Sequence, residues 1–484
     1  MRPARVFFFF FSFSCGGQPE PSGLPAAREC DEPPPAGDGW RLVADGPLLR
    51  DDLGRIVVLR GMNTGGRSKF APFLPFAFED EADFDAQLGP YWDRMAAWGF
   101  SVARLVFTWE AVEPTEGAYD EVFLSRYDRM IDAAWARGIR VIVDFHQDVY
   151  AQMYCGDGFP EWTIPAELRQ ERPDDCSDWF NGYLTNDSVK GAFDRFWTNA
   201  EGLQDAYFAM WDMLAARWAD RPGVIGFEAI NEPGWGPGPI ADWEEDVLTP
   251  FYAAFAERIH QIAPDALVFF DATGIDALSA DTSLLDPGVP GIVFAPHHYD
   301  PTTILEGAYE PTDELARRLS YWADLGAEWD MPVLMGEFGV DVATGGVREF
   351  FRDHMAAFDT FGMSATAWEY SVTGDLWSAE NMSIVEADGT ERAPHVDGLV
   401  RPYLRAAAGT SPASEYDAEN RIFSGSLVPD PGGWSEIALP DRIYPEGVRV
   451  GLRGGCAAVD DVARSVRIRA DDDATQLQFE LRPR

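Results

Sequence analysis

From Trp40 onward, short apolar runs alternate with long amphipathic stretches, and this alternation constrains the fold more than anything else in the chain. Apolar runs at 56–60, 102–107, 141–145, 224–230, 267–270, 292–295, 333–335 and 365–368 read as strands. Stretches at 83–98, 121–137, 189–219, 243–262, 312–329 and 347–361 carry apolar residues three and four apart and read as helices. Such alternation means a parallel sheet. Eight units over 360 or so residues predict a (β/α)8 TIM barrel spanning 40–408. A doubly wound sheet is the alternative, but no glycine-rich phosphate loop follows any run. Past Arg401-Pro402-Tyr403 the texture changes to short alternating runs between turn residues. That predicts a small C-terminal antiparallel β-sandwich domain over 409–484.

The fourth run, Gly226-Phe227-Glu228-Ala229-Ile230, leads into Asn231-Glu232-Pro233. Proline cannot continue a strand ladder, so the chain turns there. Asn231 and Glu232 are left at a strand end, where barrels keep their chemistry. Glu337 stands in the same setting 105 positions on (337 − 232), after Val333-Leu334-Met335-Gly336. A single Glu at a strand end is more often a surface residue. Two in matched settings on strands four and seven point to glycoside hydrolysis, which needs paired carboxylates. A retaining pair sits roughly 5–5.5 Å apart.

Other strand ends add polar groups. Arg104, inside Val102-Ala103-Arg104-Leu105, needs an anionic partner. A carboxylate at the barrel mouth would serve, and Arg104 would then hold it ionised by lowering its pKa. His146 and Asp148 alternate onto one side at the end of strand three. Strand six ends His297-His298-Tyr299, which offers His297 and Tyr299 as support for a nucleophile. Trp368 ends strand eight as a floor on which a sugar could stack. The chain has 17 Trp, which serve either as core filling or as sugar platforms. The loop 69–78 holds five large apolar residues and two prolines and reads either as packing against the barrel rim or as a greasy surface near the mouth for a lipid-bearing aglycone.

With 81 acidic and 38 basic residues the net charge is −43, which argues against nucleic acid and anionic membranes as partners. Arg2 and Arg5 precede a short apolar run that ends at Cys15. Residues 1–15 read as a signal or lipoprotein segment with Cys15 lipidated, and 16–39 as a tether. The expected location is secreted or in the cell envelope. Four Cys remain, at 30, 155, 176 and 456, and three disulfide pairings are possible. Cys155–Cys176 is favoured; Cys30–Cys456 would then tie the N-terminal segment to the C-terminal domain. The spacings do not suit zinc.

The ordered set Arg104, His146, Asn231-Glu232, His297-x-Tyr299, Glu337 and Trp368 resembles family 5 glycoside hydrolases. Asp144-Phe145-His146-Gln147-Asp148-Val149-Tyr150 resembles their endoglycoceramidase and glycosylceramidase branch, as do Gly61-Met62-Asn63-Thr64 with Lys69 and the stretch Phe193-Asp194-Arg195-Phe196-Trp197. The resemblance implies Glu232 as acid/base and Glu337 as nucleophile. It implies Lys69, His146, Asp148, Asn231, Tyr299 and Trp368 as sugar contacts, with Asn231 on the 2-hydroxyl. The implied substrate is a glycosphingolipid, its ceramide lying in an apolar groove partly built from the later loops. No metal or organic cofactor is implied, and a monomer is expected. The loop at 149–188, with its two Cys, departs from the branch pattern and borders the sugar side. Release of an intact oligosaccharide therefore stands beside release of glucose from glucosylceramide or a steryl glucoside, and beside endo-β-1,4-glucanase activity. A glycan-binding barrel without catalysis fits poorly with retention of both carboxylates and Arg104.

Overall fold

The computed structural model describes residues 23–35, 39–461 and 463–484. The segment 1–15, with Cys15, lies outside them. Eight parallel strands form the barrel: β1 Arg60–Asn63, β2 Val102–Phe107, β3 Arg140–Phe145, β4 Val224–Glu228, β5 Leu267–Phe270, β6 Ile292–Phe294, β7 Leu334–Met335 and β8 Ser364–Ala367. They pair in chain order, and β8 pairs with β1. Between β6 and β7 the ring closes through a bridge from Phe294 to Val333 and through His297–His298 beside Glu337–Phe338.

Side chains two apart on a strand share a face. In β2 that places Val102 below Arg104, and in β3 it places Ile142 below Asp144 and His146. The lower layer is apolar: Leu59, Val102, Ile142, Phe269, Val293 and Leu334 are buried in one cluster. Leu42 and Leu49, from the hairpin Leu42–Asp45 and Leu48–Asp51, join that cluster and plug the bottom of the barrel. Polar side chains therefore collect in the upper half, toward the strand C-termini. Most Trp serve the core, among them the fully buried Trp92, Trp109, Trp211, Trp218 and Trp322.

The structure alters three expectations. The first barrel strand is Arg60–Asn63, not 56–60. Ile56–Val57 pairs instead with Leu404–Ala407 and Leu48–Asp51, because its edge is taken by the returning chain. The sheet that includes Leu404–Ala407, Trp434–Ala438 and Ser465–Ala470 thus draws strands from both ends of the chain. It forms the C-terminal antiparallel architecture together with a four-stranded sheet of Gly409–Asp417, Ile422–Pro429, Leu477–Pro483 and Val448–Arg453. Second, part of the segment expected as a tether is built in. Arg28–Glu29 runs parallel to Gly455–Asp460, and Cys30 is bonded to Cys456. The second disulfide, Cys155–Cys176, is also present. Third, of the two readings of the loop 69–78 the structure has the rim packing and not the greasy surface. Leu74 and Phe76 are buried, and Phe76 and Phe78 pack on Phe84 from the first barrel helix, Glu81–Ala97. These rings cover the barrel rim.

Barrel and C-terminal domain also meet through a buried ion triad. Asp359 lies 2.8 Å from Arg60 of β1 and 3.0 Å from Arg401 at the entrance to the C-terminal domain. Removing the one acid would leave two buried guanidinium groups without it. Asp359→Ala should therefore lower unfolding free energy by about 3–5 kcal/mol, read from urea denaturation. A loss under about 1 kcal/mol, the worth of a surface pair, would show that the triad does not join the two parts.

Candidate active site

Arg104 is the node of the upper barrel. Its Nε and Nη2 donate to the two carboxylate oxygens of Glu228 at 2.8 Å each, the bidentate geometry that suits a guanidinium. Its Nη1 donates to Glu337 Oε1 at 2.7 Å and to Asn63 Oδ1 at 3.0 Å. Its Nη2 also donates to Asn231 Oδ1 at 2.9 Å and lies 3.0 Å from Asp144 Oδ1. The anionic partner expected of Arg104 is therefore Glu337, joined by Glu228 and Asp144, which the sequence reading did not single out.

Glu232 stands four residues beyond the end of β4, with φ of 36°. That left-handed backbone is unusual for a residue with a side chain, and the surroundings hold it. The Gln147 amide donates to the carbonyls of Asn231 and Glu232 at 2.8 Å each. The Glu232 N–H donates to Asp271 at 3.1 Å. His297 lies between the two carboxylates: its Nδ1 is 2.8 Å from Glu232 Oε1 and 3.6 Å from Glu337 Oε2. One oxygen of each Glu and one ring nitrogen of His297 all lie within 4.8 Å of one another. That spacing suits a retaining pair; an inverting pair needs about 6.5–9.5 Å to admit a water.

The two carboxyl groups differ in their partners. Glu337 accepts from Arg104 on one oxygen and from the Tyr299 hydroxyl, at 2.8 Å, on the other. Both contacts favour the carboxylate. Burial pushes its pKa up and Arg104 offsets only part of that, so the net direction is upward despite the expected lowering by Arg104. Among the described residues no Lys or Arg is paired with Glu232; its partner is His297. Burial first, and the charge of Asp148 second, push Glu232 up to about 8. Burial holds His297 down at about 4, so this imidazole is neutral near pH 7.

The remaining predicted residues gather beside this pair. His146 Nδ1 lies 2.9 Å from Asp144, and the His146 ring stacks on Trp368 at 5.1 Å between centroids. Lys69 donates to Asp148 at 2.7 Å and to Glu380 at 3.5 Å. Its ammonium faces the rings of Trp377 and Trp368 at 4.0 and 4.4 Å. The Trp368 indole N–H donates to Glu380. All of Lys69, His146, Asp148, Asn231, Glu232, Tyr299, Glu337 and Trp368 line one cavity of about 570 Å³. Arg104 and His297 lie against it through Glu337 and Glu232. Across the mouth, the chain after β5, β6 and β7 brings Leu278, Ile304, Val340 and Ala343 to the lining, with Thr303, Asp341 and Thr344 among them.

Sequence reasoning missed Glu228, Asp144, Asp271, Gln147 and Glu380. For Glu228 and Asp144 a signal existed: each is an acid inside an apolar strand, the same anomaly that marked Arg104. Glu380 follows a short irregular turn, Trp377–Ala379, and carries no such mark.

A closed eight-stranded barrel with two neighbouring carboxylates at its mouth defines a glycoside hydrolase. The family model for cellulase (glycosyl hydrolase family 5) matches residues 61–374, and that for the glycoside hydrolase family 5 C-terminal domain matches 401–482. The chain belongs to glycosyl hydrolase family 5. It is 28% identical to endoglycoceramidase I of Rhodococcus hoagii over 457 residues, covering 89% of this chain and 86% of the relative. It is 30% identical to an endoglycoceramidase of Cyanea nozakii, covering 68% of this chain and 70% of the relative. Among solved structures, endo-glycoceramidase II from Rhodococcus sp. in complex with ganglioside GM3 aligns with a TM-score of 0.75 at 26% identity, over 91% of this chain and all of that one.

The environment of Glu232 has a direct spectroscopic consequence. Infrared difference spectra against Glu232→Gln should show one protonated carboxyl that ionises near pH 8. Ionisation near the ordinary Glu value of about 4.3 would contradict the described environment.

Proposed function

We propose that this enzyme is a retaining β-glycosidase that hydrolyses the bond between glycan and ceramide in glycosphingolipids. One observation carries the reading: the cavity that holds both carboxylates is lined by charged groups from the chain after β1, β3 and β8 and by Leu278, Ile304, Val340 and Ala343 from the chain after β5, β6 and β7. A sugar fits the first set and a lipid the second. A β-glucan would need hydrogen-bonding groups on both sides of the scissile bond, so the apolar set speaks against a glucanase. The similarity to endoglycoceramidases along most of the chain supports the same substrate class.

In this reading Glu337 is the nucleophile and Glu232 the acid/base. The Glu337 carboxylate attacks the anomeric carbon, the bond from that carbon to the ceramide oxygen breaks, and Glu232 gives its proton to that oxygen. Water then attacks the anomeric carbon of the glycosyl ester. Glu232, now a carboxylate, takes the water's proton, and Glu337 leaves as the free carboxylate. Arg104 and Tyr299 hold charge on Glu337 before attack and after release. His297 bonds the Glu232 carboxyl and orients it. Asn231, fixed by Arg104 and by its own donation to the Gln147 carbonyl at 3.1 Å, offers its amide to the 2-hydroxyl. Lys69, His146 and Asp148 bind the remaining hydroxyls over the Trp368 ring. We infer likewise, from the basic and apolar start ending at Cys15, an exported and lipid-anchored protein. Metabolic labelling with a palmitate analogue that leaves Cys15→Ser as strongly labelled as the native chain would refute the anchor.

Glu337→Gln should abolish turnover of glucosylceramide while leaving binding intact. Glu232→Ala should lose about 10²–10⁴-fold on the ceramide glycoside. It should lose far less on an aryl glycoside whose leaving group needs no proton, and azide should restore turnover with formation of a β-glycosyl azide. An α-azide, or no rescue, would count against retention with Glu232 as acid/base. The pH profile follows from the same pair. Glu232 must be protonated for the first step, so kcat/KM should fall as pH rises through about 8. Glu337 must be ionised, so the acid limb should lie above the ordinary carboxylate range.

A further inference from the structure

The two ends of the cavity meet solvent differently. At the apolar end, on the short helix Pro301–Glu306, Ile304 is 55% and its neighbour Leu305 86% exposed. At the polar end the side chains of Lys69 and Asp148 are each 3% exposed and that of Glu380 11%. The cover over that end is built from two loops on different sides of the mouth. One is the 149–188 segment after β3, drawn together by Cys155–Cys176. The other follows β8 and contains Trp377–Ala379.

These loops are joined at several points. The Trp377 indole N–H donates to the Gly156 carbonyl at 3.3 Å, and the Ser378 hydroxyl to the Cys155 carbonyl at 2.9 Å. The Trp179 backbone N–H donates to the Cys176 carbonyl at 3.2 Å, and the Trp179 ring meets the Trp377 ring edge-on at 5.0 Å. The first loop also returns directly behind Asp148, which exchanges backbone hydrogen bonds with Asp157 at 2.9 and 3.3 Å. Lys69 lies beneath this cover, its ammonium 4.0 Å from the Trp377 ring centre and 5.7 Å from that of Trp179.

We infer that the joined loops close the sugar end, so that the enzyme accepts a single β-linked hexose and acts on monohexosylceramides rather than on ceramides carrying an extended glycan. The inference rests on the proposed function and narrows it. In a pyranose the 4-hydroxyl lies across the ring from the anomeric carbon. With the anomeric carbon at Glu337 and the lipid toward Ile304, that hydroxyl faces Lys69, Asp148 and Glu380. A second sugar attached there would run into the Trp179–Trp377 contact and the disulfide-bonded loop. Buried charged groups at such an end also select for the free hydroxyl, because a substituted oxygen cannot donate to Asp148 or Glu380.

The test is product analysis by mass spectrometry on the full chain with detergent-dispersed glucosylceramide, lactosylceramide and ganglioside GM3. The expected result is glucose and ceramide from glucosylceramide, with kcat/KM at least about 100-fold lower on the other two. Lactose or sialyllactose released with a smaller deficit would overturn the single-hexose inference and leave the proposed function standing. No ceramide from any of the three would overturn both. The double variant Cys155→Ser/Cys176→Ser, which touches neither carboxylate, should raise the lactosylceramide-to-glucosylceramide ratio about tenfold or more. An unchanged ratio would overturn the assignment of the closure to this loop.

Discussion

A fully buried guanidinium sets the terms for the upper half of the barrel. Arg104 lies at the centre of a space walled by strands, where an unpaired charge would cost several kcal/mol. It is paired with the carboxyl groups of Glu228, Asp144 and Glu337, and its remaining hydrogen-bonding capacity goes to Asn63 and Asn231. These partners come from β1, from β3, from β4 and the turn beyond it, and from the chain just after β7. One side chain thereby fixes the relative height of elements on several sides of the barrel. It also fixes the positions of Asn231 and Glu337 before any substrate arrives, which is the preorganisation that electrostatic catalysis requires.

The division of labour between the two carboxyl groups follows from this placement. Both are buried, and burial alone would push both toward the neutral form. Glu337 shares a guanidinium and a phenol; Glu232 shares a neutral imidazole. The same barrel mouth thus holds one carboxyl that is supported as an anion and one that is supported as an acid. Identical side chains acquire different chemistry from their neighbours. Below them the apolar plug of Leu42, Leu49 and Leu59 keeps water out of the barrel bottom. Above them one cavity is lined by the charged groups Lys69, Asp148 and Glu380 and by the apolar Leu278, Ile304, Val340 and Ala343.

Much of this was legible in the sequence. Period and alternation gave the barrel, and matched settings pointed to Glu232 and Glu337, which the fold brings together at its mouth. The alternation of His146 and Asp148 on β3 placed both toward the cavity. What escaped was non-local. Ile56–Val57 reads as a barrel strand because its composition is right; only the pairing with Leu404–Ala407, hundreds of residues away, removes it from the barrel. The loop 69–78 reads as exposed because its prolines break regular structure, while the rings of Phe84 and Tyr91 that cover Phe76 lie on a helix that the loop itself leads into. Glu380 reached the site through an irregular turn with no periodic signal. Glu228 and Asp144 were overlooked although an acid in an apolar strand asks for a partner as plainly as Arg104 did.

The central claim is that Glu337, held as an anion by Arg104 and Tyr299, forms the covalent bond to the sugar. The most direct measurement is to trap that bond with 2-deoxy-2-fluoro-β-D-glucosyl fluoride, which expels fluoride and leaves a slowly hydrolysed glycosyl ester, and then to map the label by peptide mass spectrometry. The account predicts one label per chain, on Glu337, with labelling abolished in Glu337→Gln and slowed in Arg104→Lys. A label on Glu232, or on any residue other than Glu337, would contradict it.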